Sequence, residues 1–237
     1  MDPTRVMDGL FWFVAFLFST TVHEAAHAWV ALRGGDRTAY LGGQVSLSPI
    51  PHLRREPIGM LVVPLLTAIS NGWAMGWASA PYDPYWAERH PRRAAWMAAA
   101  GPAANFCLAI LAFVLMRAGL ASGYFAAPPS ANLSHVIAPA QGGAGTLAAF
   151  LAQGLSVLLM ENVILGTFNL VPLPPLDGSA AVGLILPEKA ASRLRQLARA
   201  PQFSLIGLVV AMVIFPRFAS PLFGLVLKLV HPGMSYS

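Results

Sequence analysis

Apolar positions fall in long runs near residues 10–32, 58–80, 94–117, 147–171 and 202–230, with a shorter one at 178–187. About 20 consecutive apolar residues are enough for a helix to cross the hydrocarbon core of a bilayer. The pattern predicts an all-α polytopic membrane protein, with residues 1–237 as a single membrane-embedded domain. The first run follows Arg5 as a signal peptide would. Its roughly 23 residues exceed the 7–15 of a signal h-region, which predicts a retained span. The last run contains Pro216 and Arg217 and is long for one straight span, so it predicts a kinked helix. The stretch "GGQVSLSPIPHL" at 42–53 alternates weakly between apolar and polar positions, the signature of a short membrane-associated hairpin or edge strand.

Charge sorts the joints between these runs. Only 11% of residues are charged and 56% are hydrophobic, with a mean hydropathy of +0.60; soluble domains carry about 25% charged residues. The net charge of +5 sits in short clusters beside the apolar runs, and no basic stripe interleaved with aromatics appears, which excludes a nucleic-acid surface. Residues 33–55 hold Arg33, Arg37, Arg54 and Arg55; residues 86–93 hold Arg89, Arg92 and Arg93; residues 188–200 hold Lys189, Arg193, Arg195 and Arg199. Residues 118–146 contain no Lys or Arg. The positive-inside rule places the first three joints in the cytosol and the fourth outside. Segment 58–80 then begins and ends on one side, so it is predicted to be re-entrant. Pro64, Asn71, Gly72 and Gly76 interrupt it, and irregular backbone at membrane depth is tolerated where protein or a water-filled cavity surrounds it. Cys107 is the only cysteine, so neither a disulfide nor a cysteine metal site is available.

The first run carries the candidate chemistry. "FLFSTTVHEAAHAWVALRGG" at 16–35 places His23, Glu24 and His27 in an otherwise apolar helix. Residues four apart share a helix face, so His23 and His27 can offer imidazole nitrogens to one ion while Glu24 points elsewhere. Two imidazoles suit zinc, and the adjacent carboxylate can take a proton from water activated by the metal. The bland reading is a buried polar trio between helices, but a carboxylate in a span costs about 2.5–3.5 kcal/mol on insertion scales and wants a reason. Catalytic zinc needs a third protein ligand, and two intramembrane candidates exist: Asp177, in "FNLVPLPPLDGSAAVG", and Glu161, in "VLLMENVILG". His27 lies six residues from Arg33, roughly 9 Å of helix rise from the cytosolic edge. Span 147–171 runs inward and brings Asp177 to that edge while leaving Glu161 at mid-membrane, so depth favours Asp177.

Three segments in order, HEAAH at 23–27, "AAAGPAANF" at 98–106 and "FNLVPLPPLDG" at 168–178, resemble the signatures of the site-2 protease family of intramembrane zinc metalloproteases. The resemblance covers nearly the whole chain and is closest to the compact prokaryotic type, in which "EPIG" at 56–59 and "GWASAPYDP" at 76–84 have counterparts. It implies one Zn2+ per chain held by His23, His27 and Asp177, Glu24 as general base, and Asn105 and Asn169 lining the active site. Compact relatives usually have a lysine where Ser79 stands and an aspartate where Glu56 stands. Larger relatives carry a PDZ or a nucleotide-binding module, for which this chain has no room.

Asn162, Gly166 and Asn169 share one helix stripe, and Ala100, Gly101 and Ala104 make the helix around Asn105 small-sided; both patterns also serve ordinary membrane helix packing. His52, His90, His135 and His231 lie in joints or the tail, where solvated histidines are the default. Trp12, Trp29, Trp73, Trp77 and Trp86 read as interfacial anchors.

The function expected is an endopeptidase cleaving within or beside transmembrane segments of membrane-protein substrates. It would reside in the inner or plasma membrane of a prokaryotic cell, with its active site nearer the cytosol and with a transmembrane protein and the bilayer as partners. The rival reading is a polytopic protein that binds and transports a metal ion through the same four residues. The intact glutamate and single ligand set favour hydrolysis, since a transporter would repeat acidic residues across several spans. Nothing in these patterns selects a substrate or an oligomeric state.

Overall fold

A computed structural model describes residues 3–141, 143, 145–187, 190–194 and 201–234. The joint residues Lys189, Arg195 and Arg199 lie outside them. Because a bilayer offers backbone groups no water, apolar runs satisfy their N–H and C=O groups within themselves as helices. Three helices are long and apolar enough to cross: α1 (Pro3–Arg33), and two more that we label after the short elements between them. Those short elements are α2 (Thr38–Leu41), α3 (Pro49–Arg55), a π turn at Ile58–Val62 leading into α4 (Val63–Asn71), and α5 (Pro84–Arg89). The second and third spans are α6 (Pro91–Ala121) and α7 (Leu147–Asn169). After α7 come α8 (Gly178–Ala181), a 3₁₀ turn, α9 (Pro201–Ile214) and α10 (Pro216–Val230). The pair α9 and α10 is bent by 49° and makes up a fourth span if taken as one. The bend falls where Pro216 removes a backbone donor, as the sequence predicted.

Two ends of the bundle can be told apart by contacts. At one end Gly34 at the foot of α1 accepts hydrogen bonds from Trp86 Nε1 and Arg93 Nη1, which brings two of the arginine-rich joints together. At the other end Gln153 donates to Asp8, Trp12 donates to Ser134, and Arg117 donates to the Val230 carbonyl. Spans α1, α6 and α7 therefore alternate in direction, with the arginine-free loop 122–146 at the second end. That loop holds the structure's one two-stranded sheet among the described residues. Its strands β1 (Phe125–Ala126) and β2 (Ala138–Pro139) pair antiparallel, Phe125 opposite Pro139 and Ala126 opposite Ala138.

The expected strand at 42–53 is not there. Gly42–Gly43 form a turn and Val45–Leu47 a bend, and Ser48 caps α3, where Pro49 at the first helical position favours a helix start over a strand. Two joint histidines also depart from the solvated reading. His52 is buried and donates to the Ser46 carbonyl; His231 is buried and donates to the Val136 carbonyl. Trp12 and Trp86 are buried and hydrogen-bonded, whereas Trp29, Trp73 and Trp77 are exposed as interfacial residues would be.

Segment 58–80 enters and leaves at the arginine-rich end, as the charge pattern required. The helical limb runs to Gly72, whose φ of +78° reverses the chain beside Arg5 at the far end of α1. The return limb is extended, with Met75 N donating to Thr67 Oγ1 and Trp77 N to the Gly59 carbonyl. An extended strand covers about 3.3 Å per residue against 1.5 Å in a helix, which is how so short a segment reaches across and returns. Its exit is clamped by Asp36, whose two oxygens accept from Thr38 and from Asp83 N.

This arrangement makes a labelling prediction. On a Cys107→Ser background, single cysteines in 120–140 are expected to react with a membrane-impermeant thiol reagent from outside, and those in 35–55 and 86–92 only after permeabilisation. Labelling of 86–92 from outside would mean that 58–80 crosses the bilayer once.

Candidate active site

The helical phase of α1 turns His23 and His27 to α6 and α8, and their outward nitrogens meet one oxygen of Asp177. His23 Nε2 lies 2.9 Å from His27 Nε2, and Asp177 Oδ2 lies 3.0 Å from the first and 3.3 Å from the second. The other ring nitrogens are already committed. His23 Nδ1 donates to Asn105 Oδ1 at 2.5 Å, and His27 Nδ1 donates to the Met97 carbonyl at 2.7 Å. With protons on Nδ1, both Nε2 atoms present lone pairs, facing each other and a carboxylate oxygen. Three electron-pair donors at such separations repel unless a cation lies among them. Ligands at about 2.0–2.1 Å from a tetrahedral zinc sit roughly 3.3 Å apart, so the spacing fits that ion. As a carboxylate, Asp177 is the one anionic donor among the three. The set thus contributes one negative charge, as a His₂Asp zinc site requires.

A second observation supports the fit. Gly101 of α6 backs onto the same point: a Cβ placed there would come within 2.4 Å of His27 Nε2 and 2.5 Å of His23 Nε2. The absence of a side chain is what leaves room in front of the two nitrogens.

Behind the rings runs a polar chain through the packed interior. Asn105 Nδ2 donates to Asn162 Oδ1 at 2.8 Å, and Asn162 Nδ2 donates to Ser19 Oγ at 2.8 Å. It fixes the Asn105 amide with its oxygen toward His23, and so fixes the tautomer of that ring. Partners of this kind orient metal-binding histidines and raise their basicity. Asn105 is fully buried behind His23 and is not on the wall of the cavity. Asn169 does line the cavity, with Nδ2 donating to the Leu165 carbonyl one turn back.

Glu24 is buried, and its Oε2 has no hydrogen-bond partner. It opens, with His23, His27, Asp177 and Thr20, onto a cavity of about 910 Å³. The re-entrant return limb, residues 76–80, forms another wall. Ser79 and Glu56, the two positions that depart from the compact-type pattern, are bonded to each other: Ser79 Oγ donates to Glu56 Oε1 at 2.7 Å, and Arg55 Nε donates to the Ser79 carbonyl. The two departures form one exchange that ties the return limb to α3.

Glu161 is buried on α7 and is not among the three converging donors, which lie within 4.8 Å of one another. The turn through Pro172, Pro174 and Pro175 carries Asp177 back to the histidines. Gly178 packs against the Leu170 carbonyl so closely that a side chain would collide with it. Elemental analysis of purified variants is therefore expected to find zinc lost in Asp177→Ala, retained in Glu161→Ala, and bound some 10- to 100-fold more weakly in Asn105→Ala. Zinc loss in Glu161→Ala with retention in Asp177→Ala would reverse the assignment.

The sequence places Asn162 on one stripe with Asn169 but does not announce its bond to Asn105, nor Ser19, the Met97 carbonyl or the steric role of Gly101. The signals for Gly101 were its place in "AAAGPAANF", directly before Pro102, and in the small-sided stretch with Ala100 and Ala104.

Comparison with known proteins bears on the family. The model of peptidase family M50 matches residues 11–214. "Putative zinc metalloprotease YwhC" of Bacillus subtilis is 31% identical over 186 residues, covering 77% of this chain and 72% of the relative. The Rip2 proteins of Mycolicibacterium smegmatis and Mycobacterium tuberculosis, which carry the same designation, are 28% and 29% identical, each over 89% of this chain and 69% of the relative. No solved structure matches the chain. With a helical membrane core, two histidines and an aspartate converging as zinc ligands do, and a family match across most of its length, the chain belongs to peptidase family M50 and is a zinc metalloprotease.

Proposed function

We propose that this protease hydrolyses peptide bonds within or next to the membrane-spanning segments of other membrane proteins, with His23, His27 and Asp177 holding one zinc ion. The observation that carries the reading is Glu24, a buried carboxylate with an unpartnered Oε2, which lines with the three donors one cavity set among membrane-spanning helices. Zinc held by these residues supplies Lewis acidity, polarising a carbonyl and bringing the pKa of water near 7.

The chain's own residues do the rest. Glu24 accepts a proton from the attacking water through its carboxylate, then returns it to the leaving amine as the C–N bond breaks. Asn105 and the Met97 carbonyl hold the imidazole Nδ1 protons, keeping both Nε2 lone pairs on the ligand side. Asn169, with one amide N–H committed to Leu165, has its other N–H and its oxygen to orient a substrate backbone. A transmembrane helix hides its carbonyls in its own hydrogen bonds, so a substrate must unwind locally before it can react. Phe16, Trp77 and Phe168 give the cavity apolar walls for such a segment.

The joints that carry Arg33 and Arg93 mark the cytosolic end by the positive-inside rule. That supports an active site nearer the cytosol; the bacterial relatives support a prokaryotic inner or plasma membrane, and the family match over residues 11–214 supports a single membrane-embedded unit. The test is a model transmembrane substrate whose helix is weakened by Gly or Asn, reconstituted with the protease in liposomes, with products mapped by mass spectrometry. One cut within or beside the apolar segment is expected. Zinc flux into the liposomes without any cut would point to the transporter instead.

A further inference from the structure

A second concave site lies at the arginine-rich end, outside the proteolytic cavity. Val30, Arg33, Gly34, Gly35, Arg93 and Trp96 frame a shallow pocket of about 390 Å³. Its walls come from the last turn of α1 and the first turns of α6, the same ends of two membrane-spanning helices, so the pocket sits where a bilayer's headgroups begin. Two exposed tryptophans agree with that depth: Trp96 on its wall and Trp29, against whose ring the Arg33 guanidinium rests at 5.6 Å.

The charges on the pocket are unbalanced. Among the described residues neither Arg33 nor Arg93 has a carboxylate within 4 Å. The nearby acids are engaged elsewhere. Asp36 turns both oxygens to Thr38 and to Asp83 N, and Asp83 faces Tyr85 N and Arg89. The Gly34 carbonyl, which would otherwise present the negative end of α1, is covered by Trp86 Nε1 and Arg93 Nη1. What remains is positive, apolar on the Val30 and Trp96 side, and level with phosphate groups.

We propose that this pocket binds the headgroup of an anionic phospholipid. A guanidinium presents paired N–H donors that match phosphate oxygens. Basic pockets between membrane helices on the cytosolic side take anionic headgroups in this way. A zwitterionic lipid brings its own cation against two arginines and is disfavoured. A free phosphate ion lacks the acyl chains that Val30 and Trp96 would face. The occupant would bridge α1 and α6 one turn from Met97, whose carbonyl holds His27.

The test uses the full chain purified in detergent, with retained lipid counted by native mass spectrometry on adding phosphatidylglycerol, phosphatidylcholine or inorganic phosphate. Wild type is expected to retain phosphatidylglycerol over phosphatidylcholine. Each arginine near an anionic surface contributes about fivefold in affinity, so R33Q/R93Q is expected to bind phosphatidylglycerol about 25-fold more weakly, with phosphatidylcholine retention unchanged. Should loss of the Arg93 bond to Gly34 impair folding, seen as a lowered unfolding temperature in phosphatidylcholine, R33Q alone decides with its fivefold loss. Undiminished phosphatidylglycerol retention in the folded variants overturns the proposal. So does equal retention of the two lipids by wild type, or displacement of phosphatidylglycerol by equimolar inorganic phosphate.

Discussion

Glu24→Gln is expected to lose about 10²- to 10⁴-fold in peptide cleavage, the usual contribution of a positioned general base, while binding zinc as the wild type does. The two outcomes separate because the three converging donors do not include Glu24. The carboxamide is close in size and fits the same buried place, but it cannot take up the proton that the carboxylate accepts. Single-turnover cleavage of the model transmembrane substrate, alongside elemental analysis of both proteins, reads the effect. An ion pathway would respond otherwise, with weakened metal affinity and no proteolysis to lose. Undiminished cleavage by Glu24→Gln would remove Glu24 from the chemistry.

Gly101→Ala sets two effects of opposite sign against each other. Within a helix, alanine is favoured over glycine by about 1 kcal/mol, so propensity alone predicts a more stable protein. The added methyl would meet His27 Nε2 at 2.4 Å and His23 Nε2 at 2.5 Å. Neither ring can retreat freely, since Asn105 and the Met97 carbonyl hold them from behind. Overpacking of this kind costs about 1–3 kcal/mol, and here it falls on the point where the donors converge. The expected result is unchanged helix content by circular dichroism, with zinc affinity lowered at least about 10-fold and cleavage lost with it. Full zinc occupancy and normal turnover in Gly101→Ala would show that α6 can move away from α1 at little cost.

The membrane fold was legible because the bilayer makes local composition decisive. An apolar run of sufficient length has few options but a helix. The runs at 10–32, 94–117 and 147–171 accordingly became α1, α6 and α7, with the start of α1 seven residues earlier and the other ends moved by four residues or fewer. Re-entry of 58–80 was legible from charge, because the arginines of 33–55 and 86–93 had to share a side. The depth of that hairpin was not, because an extended limb and a helical limb of equal length look alike in composition. The strand expected at 42–53 failed on the same ground. Weak alternation over a few residues says little beside Ser48 and Pro49, which together start a helix.

For the site, the sequence by itself determined the pair His23 and His27 with Glu24 beside them, because a helix fixes the phase of residues four apart. It also narrowed the third donor to Asp177 by depth, over Glu161. Only the tertiary structure decided the rest. Asn105 stands behind His23 and not on the cavity wall, Met97 holds His27 through a backbone atom that no side-chain pattern can announce, and Gly101 is required for what it lacks. Those facts depend on how α1 and α6 rotate and approach across 70 or more residues of chain. The physical reason is that periodicity encodes which face of a helix is turned inward, whereas the partner it meets there is set by packing between helices.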